Sequence, residues 1–151
     1  MKSTSKLIVI GLIASLLFTA AIVLAPTPAM AGTSVNCQPY SKEWATQDVF
    51  RTSANRTLPL RCGYWNSTLQ KGWGVNKLKA KGRWNSWFRD MISVTLNSPY
   101  KHWPQNDTTE IFVTNYFKCK KPYRFRVVVN TTKKKGESYV MGVVNAYQEW
   151  K

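Results

Sequence analysis

The most regular pattern of apolar positions in this chain lies near its middle. Between Asn85 and Asn97, large apolar side chains recur at steps of three and four residues, which places them on one side of a helix: Trp84, Trp87, Phe88, Met91, Ile92 and Leu96. Asn85 or Ser86 can cap the first turn, and Pro99 follows the last one. The pattern predicts an amphipathic helix whose apolar side packs into a core.

Three segments with the composition of β-strands follow this helix. They are rich in β-branched and aromatic residues, and they cover Glu110–Phe117, Tyr123–Thr131 and Ser138–Tyr147. The lysine-rich stretch Lys133–Gly136 predicts an exposed hairpin loop between the last two. A simple register across that loop places Arg124 opposite Asn145.

Alternation along the second of these strands divides its side chains between two faces. Phe125, Val127 and Val129 lie on one side, and Arg124, Arg126 and Asn130 lie on the other. We therefore expect one apolar face for the helix and one basic, hydrogen-bonding face, which would also carry Thr114, Asn145 and Tyr147.

The segments outside these four complete the predicted fold. Ser41–Thr52 predicts a short helix capped by Ser41, and Val75–Lys81 predicts another that ends at Gly82. Ser53–Gly63 reads as extended, Tyr64–Gly74 as a loop or strand fragment and Tyr100–Asp107 as a loop. The order predicts an α+β fold, with N-terminal helices packed on a three- to four-stranded antiparallel sheet meander.

Residues 1–31 have the layout of a secretory signal. A basic start at Lys2 and Lys6 precedes the apolar run Leu7–Ala25, and Ala29–Ala31 offers small residues where a signal peptidase cleaves. We expect cleavage, export to the extracellular space and no stable membrane insertion afterwards, with residues 32–151 forming a single basic α+β domain. The alternative is an uncleaved anchor, because the apolar run is long enough to span a bilayer.

The charge of the chain indicates the class of partner. Lys and Arg number 22 against 7 Asp and Glu, a net charge of +15. An excess of this size attracts polyanions, which outside a cell are nucleic acid, cell-wall polymers and anionic lipid. The seven Trp side chains suit stacking on bases, which favours nucleic acid, although Trp also fills the cores of small secreted domains.

The cysteine count allows one disulfide and one leftover thiol. The three cysteines are Cys37, Cys62 and Cys119. We favour Cys62–Cys119, because each of these two adjoins an apolar segment. With one His in the chain and no Cys-x-x-Cys motif, neither a metal nor a cofactor is predicted.

Three groups of residues are candidates for chemistry. The first is the basic run of Lys77, Lys79, Lys81 and Arg83, in which crowded positive charges would lower the pKa of a lysine and make it a usable base. Its alternative is an ordinary solvated surface. The second group is the basic face of the sheet, where paired arginines would bind a phosphate and Tyr147 or a lysine would donate a proton; its alternative is a plain polar face.

The third candidate is His102, the one histidine of the chain, in the segment Tyr100–Asp107. It is the side chain whose ordinary pKa lies nearest neutrality. The alternative is a surface histidine without a role. The G-x-S-x-G and P-loop motifs are both absent from the sequence, which gives no support for serine hydrolase or nucleotide-hydrolysis chemistry.

Short motifs give the chain a resemblance to known toxins. Leu60–Gly63, Gly72–Lys81 and the closing strand Val143–Tyr147 resemble small secreted proteins and toxin tips of the barnase, EndoU, colicin and RelE-like ribonuclease group. This resemblance implies helices before a curved antiparallel sheet, with RNA on the open face. It also implies an RNA-cleaving activity against competitors, and a small acidic immunity protein as partner.

Two functions follow from these observations. The first is a metal-independent endoribonuclease that attacks RNA through its 2′-hydroxyl, with catalytic candidates Lys77, Lys81, Arg124, Arg126, Tyr147 and His102. Its substrate-binding candidates are Trp73, Lys79, Arg83, Thr114, Asn130 and Asn145. The second is a non-catalytic secreted protein that binds nucleic acid, anionic wall polymer or a membrane surface.

Overall fold

The structure is a computed structural model that describes residues 36–39, 41–133, 136 and 140–150. The predicted signal segment, residues 1–31, lies outside the described residues, as do residues 134 and 135 of the predicted Lys133–Gly136 loop. The described residues belong to one compact unit.

Eight strands and two helices follow one another in the described part of the chain. The strands are β1 (Thr46–Arg51), β2 (Thr57–Arg61), β3 (Tyr64–Asn66), β4 (Lys71–Trp73), β5 (Lys101–Asn106), β6 (Thr109–Lys118), β7 (Lys121–Lys133) and β8 (Val140–Trp150). The helices, α1 (Gly74–Ala80) and α2 (Ser86–Asn97), lie between β4 and β5.

Six of the strands form one mixed sheet in the order β1-β2-β8-β7-β6-β5, and β3 and β4 form a separate hairpin. The neighbours in the large sheet are antiparallel, apart from β2 and β8, which run parallel and pair at Leu60 and Val143. At this seam Gly142 has φ +82°, and a Cβ there would lie 2.0 Å from the carbonyl oxygen of Pro59. The close approach of the two strands therefore requires glycine.

Helix α2 packs its apolar side on the sheet, as the three- and four-residue spacing predicts. Ile92 and Leu96 are buried, and the Phe88 ring meets Phe125 of β7 edge to face, with 4.8 Å between centroids. Asn85 caps the helix by accepting a hydrogen bond from the amide of Phe88. Trp87 was expected to be buried with the rest of the apolar side, but 41% of its surface is exposed.

Helix α1 also confirms its prediction. Val75 and Leu78 are buried, and Gly82 follows the helix with φ +64°, the left-handed conformation that ends many helices. Gly74 begins the helix with φ +72°, and a Cβ at this position would lie 2.5 Å from the carbonyl oxygen of Arg61. The helix contacts β8 and the β3–β4 hairpin.

The predicted fold class is wrong. Four strands precede the helices, and the main sheet is six-stranded and mixed rather than a three- to four-stranded antiparallel meander. The segment predicted as helix 41–52 contains β1, because Phe50 is buried opposite Leu58 and pairing with β2 overrides the helix propensity. The predicted loop 100–107 contains β5, whose six residues are all exposed and whose backbone pairs with β6.

The register predicted for β7 and β8 is also wrong. Arg124 pairs with Glu149, and Asn145 pairs with Val128. Strand β7 continues to Lys133, which pairs with Val140, so the connection is longer than a tight Lys133–Gly136 turn and the pairing is displaced.

The disulfide joins Cys37 and Cys62, not Cys62 and Cys119. Both bonded cysteines are fully buried in the core. Cys119 is a free, exposed thiol in the turn between β6 and β7. The apolar residues near Cys119 in sequence lie in β6 and β7, whereas Cys119 itself lies in the turn between these strands. A position next to an apolar segment was therefore not evidence that Cys119 is buried.

Candidate functional site

The predicted basic face of the sheet exists, and we call it the arginine face because it carries Arg124 and Arg126. Phe125, Val127 and Val129 are buried on the opposite side, beneath α2. Cross-strand pairing assigns further residues to the arginine face: Trp103 of β5, Asn115 of β6, and Asn145, Tyr147 and Glu149 of β8.

Cations and aromatic rings alternate in a row across this face. The Arg126 guanidinium carbon lies 5.8 Å from the Trp103 ring centroid and 5.7 Å from that of Tyr147. The guanidinium carbon of Arg83 lies 5.8 Å from the centroid of the same Tyr147 ring. Arg83 follows α1, so the contact of α1 with β8 brings a fourth member to the row. Each interval is within the range of cation–π attraction.

Hydrogen-bonding capacity on this face is only partly used within the protein. Arg126 donates from Nη2 to Glu149 Oε1 at 2.9 Å, while its Nε is buried without a partner among the described residues. Arg124 makes no hydrogen bond or ion pair with any described residue. The Oδ1 atoms of Asn115 and Asn145 are likewise buried without a partner in the described part of the chain. A buried polar atom without a hydrogen-bond partner lowers the stability of the fold. A ligand that forms hydrogen bonds with these atoms recovers that free energy when it binds.

The four residues of the basic run separate in the structure. Lys79 donates to the carbonyl of Cys37, and Lys81 donates to Gln70 Oε1 at 2.8 Å and lies over the Trp65 ring. Lys77, by contrast, is partly buried beside Arg83. Burial lowers the pKa of Lys77, and repulsion from Arg83 and Lys81 lowers it further. Arg83 therefore belongs with the arginine face and has Lys77 near it, whereas Lys79 and Lys81 form hydrogen bonds with other parts of the fold.

Two of the substrate-binding candidates, Thr114 and Trp73, do not contribute to the arginine face in the structure. Thr114 pairs with Phe125 and lies on the side of α2, because strand alternation assigns Val113 and Asn115 to the other side. Trp73 packs against Trp44, with 5.5 Å between ring centroids. Asn130 lies on the arginine face, but its Oδ1 accepts a hydrogen bond from the amide of Thr132.

His102 lies on the opposite side of the sheet from Arg126. Its ring stacks on Phe112, 4.1 Å between centroids, and its Nε2 lies 2.9 Å from Glu110 Oε2. Glu110 also accepts a hydrogen bond from Arg56 at 2.9 Å. The structure therefore separates His102 from the other catalytic candidates and places it beside a groove of about 500 Å³ that Arg56 and Glu110 also line.

The electrostatics of this cluster centre on Glu110. Burial alone raises its pKa, but the hydrogen bonds from Arg56 and His102 and the attraction of their charges outweigh burial and hold the pKa below its ordinary value.

Sequence reasoning missed Trp103, Asn115 and Glu149 on the arginine face. Trp103 fell in a segment interpreted as a loop. Asn115 alternates with Thr114 on β6, so applying the two-residue period to that strand would have found it. Glu149 follows the predicted end of the last strand, which runs on to Trp150.

No three His, Cys, Asp or Glu side chains come together as metal ligands in the part of the chain that the structure describes. Neither α1 nor α2, the helices of the described residues, has the length and apolar character to cross a bilayer. Comparisons of this chain with models of known protein families, with curated proteins and with solved structures found no match.

Proposed function

We propose that this chain binds single-stranded RNA on the arginine face. The observation that carries the proposal is the row of Trp103, Arg126, Tyr147 and Arg83, in which rings and guanidinium groups alternate at 5.7–5.8 Å. A single strand of nucleic acid presents the same alternation of flat bases and charged phosphates. Bases stack on aromatic rings, and guanidinium groups pair with phosphate oxygens.

The unpartnered atoms favour RNA among the polyanions. A phosphate-rich wall polymer offers acceptors to arginine but has no aromatic face for Trp103 and Tyr147. The Oδ1 atoms of Asn115 and Asn145 need donors. RNA supplies donors through its 2′-hydroxyl groups and base amino groups, and the 2′-hydroxyl distinguishes it from DNA.

A second candidate function, RNA cleavage through the 2′-hydroxyl, is favoured by Lys77. A lysine whose pKa is lowered can accept a proton from that hydroxyl, Arg126 can stabilise the charge that develops on phosphorus, and Tyr147 can protonate the leaving oxygen. This assignment keeps three of the catalytic candidates named from the sequence, and it does not use His102.

Fluorescence anisotropy with a labelled single-stranded RNA of mixed sequence tests the binding function. We expect affinity to fall as salt rises, and Arg126→Gln to reduce the slope of log affinity against log salt by about 0.7, the value for one phosphate contact on a single strand. Arg51→Gln is the matched control, since Arg51 is exposed on the edge strand β1. Equal losses in both variants would show that only net charge matters and would refute the proposal.

Substitutions at Tyr147 separate the ring from the hydroxyl. Tyr147→Leu should weaken binding about tenfold or more, because stacking on one base contributes about 1–3 kcal/mol. Tyr147→Phe should bind normally. Tyr64→Leu, at an exposed tyrosine of β3, is the control for loss of an aromatic side chain.

Cleavage is tested on the same RNA by looking for 2′,3′-cyclic phosphate ends. If Lys77 is the base, Lys77→Arg keeps the charge and the affinity but abolishes these ends, because arginine stays protonated. Intact RNA after long incubation with the wild-type protein would leave binding as the function.

A further inference from the structure

A second surface lies at the end of the sheet where β6 turns into β7 and where β8 ends. Three aromatic residues pair directly across three strands there, since Tyr116 pairs with Tyr123 and Tyr123 with Trp150. Their rings touch in sequence, with centroids 5.5 Å and 4.5 Å apart, and Trp87 of α2 extends the row at 5.8 Å from Tyr116. We call these four residues the aromatic row.

The aromatic row is distinct from the arginine face. Tyr116, Tyr123 and Trp150 alternate along their strands with Asn115, Arg124 and Glu149, so they lie on the other side of the sheet. Of the row, Trp150 leaves 68% of its surface exposed. Phe117 follows Tyr116 at the same end of the sheet, where alternation puts it on the side of Asn115, and it is 76% exposed, the largest exposed fraction among the large hydrophobic side chains of the described residues.

Lysines surround these exposed rings. The β6–β7 turn carries Lys118, Lys120 and Lys121 with no carboxylate among them. Lys118 Nζ lies 5.9 Å from the Trp87 ring centroid, and Lys121 Nζ lies 5.6 Å from that of Trp150. Folding leaves most of the Phe117 and Trp150 surfaces in water, so this combination suits a partner that accepts both apolar rings and positive charge.

We propose that this end of the molecule docks on the surface of an anionic lipid bilayer. Tryptophan and tyrosine prefer the boundary between headgroups and acyl chains, where the ring is in apolar surroundings and its polar atom stays hydrated. Lysines beside them pair with anionic headgroups. Phe117, at the turn, is the side chain placed to enter deepest.

The molecule carries its own reporter for this contact. Cys119 is the one free thiol among the described residues, it is exposed, and it lies in the turn between Lys118 and Lys120. An environment-sensitive dye attached to Cys119 in the full chain reads the turn alone and is unaffected by contacts made elsewhere. The matched probe is the same dye on Ser67→Cys in a Cys119→Ser background, at an exposed position beyond β3.

The experiment mixes the labelled protein with vesicles of phosphatidylcholine, with and without one quarter phosphatidylglycerol. We expect a blue shift and protection from iodide quenching at Cys119 with the anionic vesicles only, and neither change at the matched probe. Replacing Lys118, Lys120 and Lys121 by Gln should weaken binding about 100-fold. The control carries the same charge change at the exposed lysines Lys42, Lys71 and Lys133.

Apolar contacts are tested with single substitutions. Phe117→Ser and Trp150→Ser should each weaken vesicle binding about tenfold or more, whereas Leu69→Ser, at a leucine that is 62% exposed in the β3–β4 turn, should not. A dye at Cys119 that does not respond to anionic vesicles would overturn the proposal. So would a response to RNA that vesicles do not compete for, since the row would then be a base-stacking surface.

Discussion

The Cys37–Cys62 disulfide gives the sharpest quantitative prediction. The bonded residues are 25 positions apart, and in the chain-entropy model closing a loop of that length restricts the unfolded chain by about 3.5 kcal/mol. Breaking the bond should therefore remove a large part of the stability of a domain of this size, whose total is about 5–15 kcal/mol.

Urea unfolding followed by tryptophan fluorescence measures this effect. Cys37→Ala should shift the midpoint downward by about 2 M for a slope near 1.5–2 kcal/mol/M, and reductant should shift the wild type by a similar amount. Reductant should have no further effect on Cys37→Ala. Cys119→Ser should match the wild type under both conditions, since Cys119 is exposed and unbonded.

The alternative pairing predicts the opposite pattern. A Cys62–Cys119 bond would make Cys119→Ser as destabilising as loss of Cys62, and thiol titration of the unreduced, unfolded protein would then identify Cys37 as the reactive residue. Either result would refute the reasoning from the structure.

Three further substitutions test the packing and electrostatics. Thr95→Val should stabilise the protein by about 1 kcal/mol in urea unfolding, because Thr95 is fully buried and its Oγ1 has no partner among the described residues. Gly142→Ala should destabilise by about 3 kcal/mol or more through the clash with Pro59, and hydrogen exchange should show β1 and β2 released first; an unchanged exchange pattern would contradict the tight seam. Glu110→Gln should cost about 0.5 kcal/mol at neutral pH. Because the pKa of Glu110 is lower in the folded state, its contribution is present above the unfolded value and lost as pH falls through the folded value. The stabilities of the wild type and of the Glu110→Gln variant should therefore converge only as the pH falls below the ordinary carboxyl pKa of 4.5 and through the lower pKa of folded Glu110, and a difference that persists in still more acidic solution would contradict this reasoning.

The sequence pattern correctly predicted the helices and strands whose apolar side chains recur at regular helical or strand spacing. The spacing of Phe88, Ile92 and Leu96 gave α2, and the alternation of Phe125, Val127 and Val129 gave β7 and its two faces. The same alternation correctly put Arg124 and Arg126 together on the side away from α2.

The errors occur where backbone pairing between distant segments decides the structure. Strand β5 has six exposed residues and so offers no apolar alternation, and it exists because β6 pairs with it. Strand β1 buries only Phe50 fully and depends on β2. The same distinction applies to the candidate site. Alternation along the last predicted strand identified Tyr147, whereas tertiary packing brings Trp103 to Arg126 and Arg83 to Tyr147.

Because β2 pairs with β8, the main sheet can be completed only after β8 has been synthesised. The hairpin of β1 and β2 leaves the ribosome early, yet the strand it must join is made after all the others described. Leu60 therefore has no Val143 to pair with until β8 has been synthesised, and the nascent chain keeps apolar side chains exposed to chaperones in the meantime.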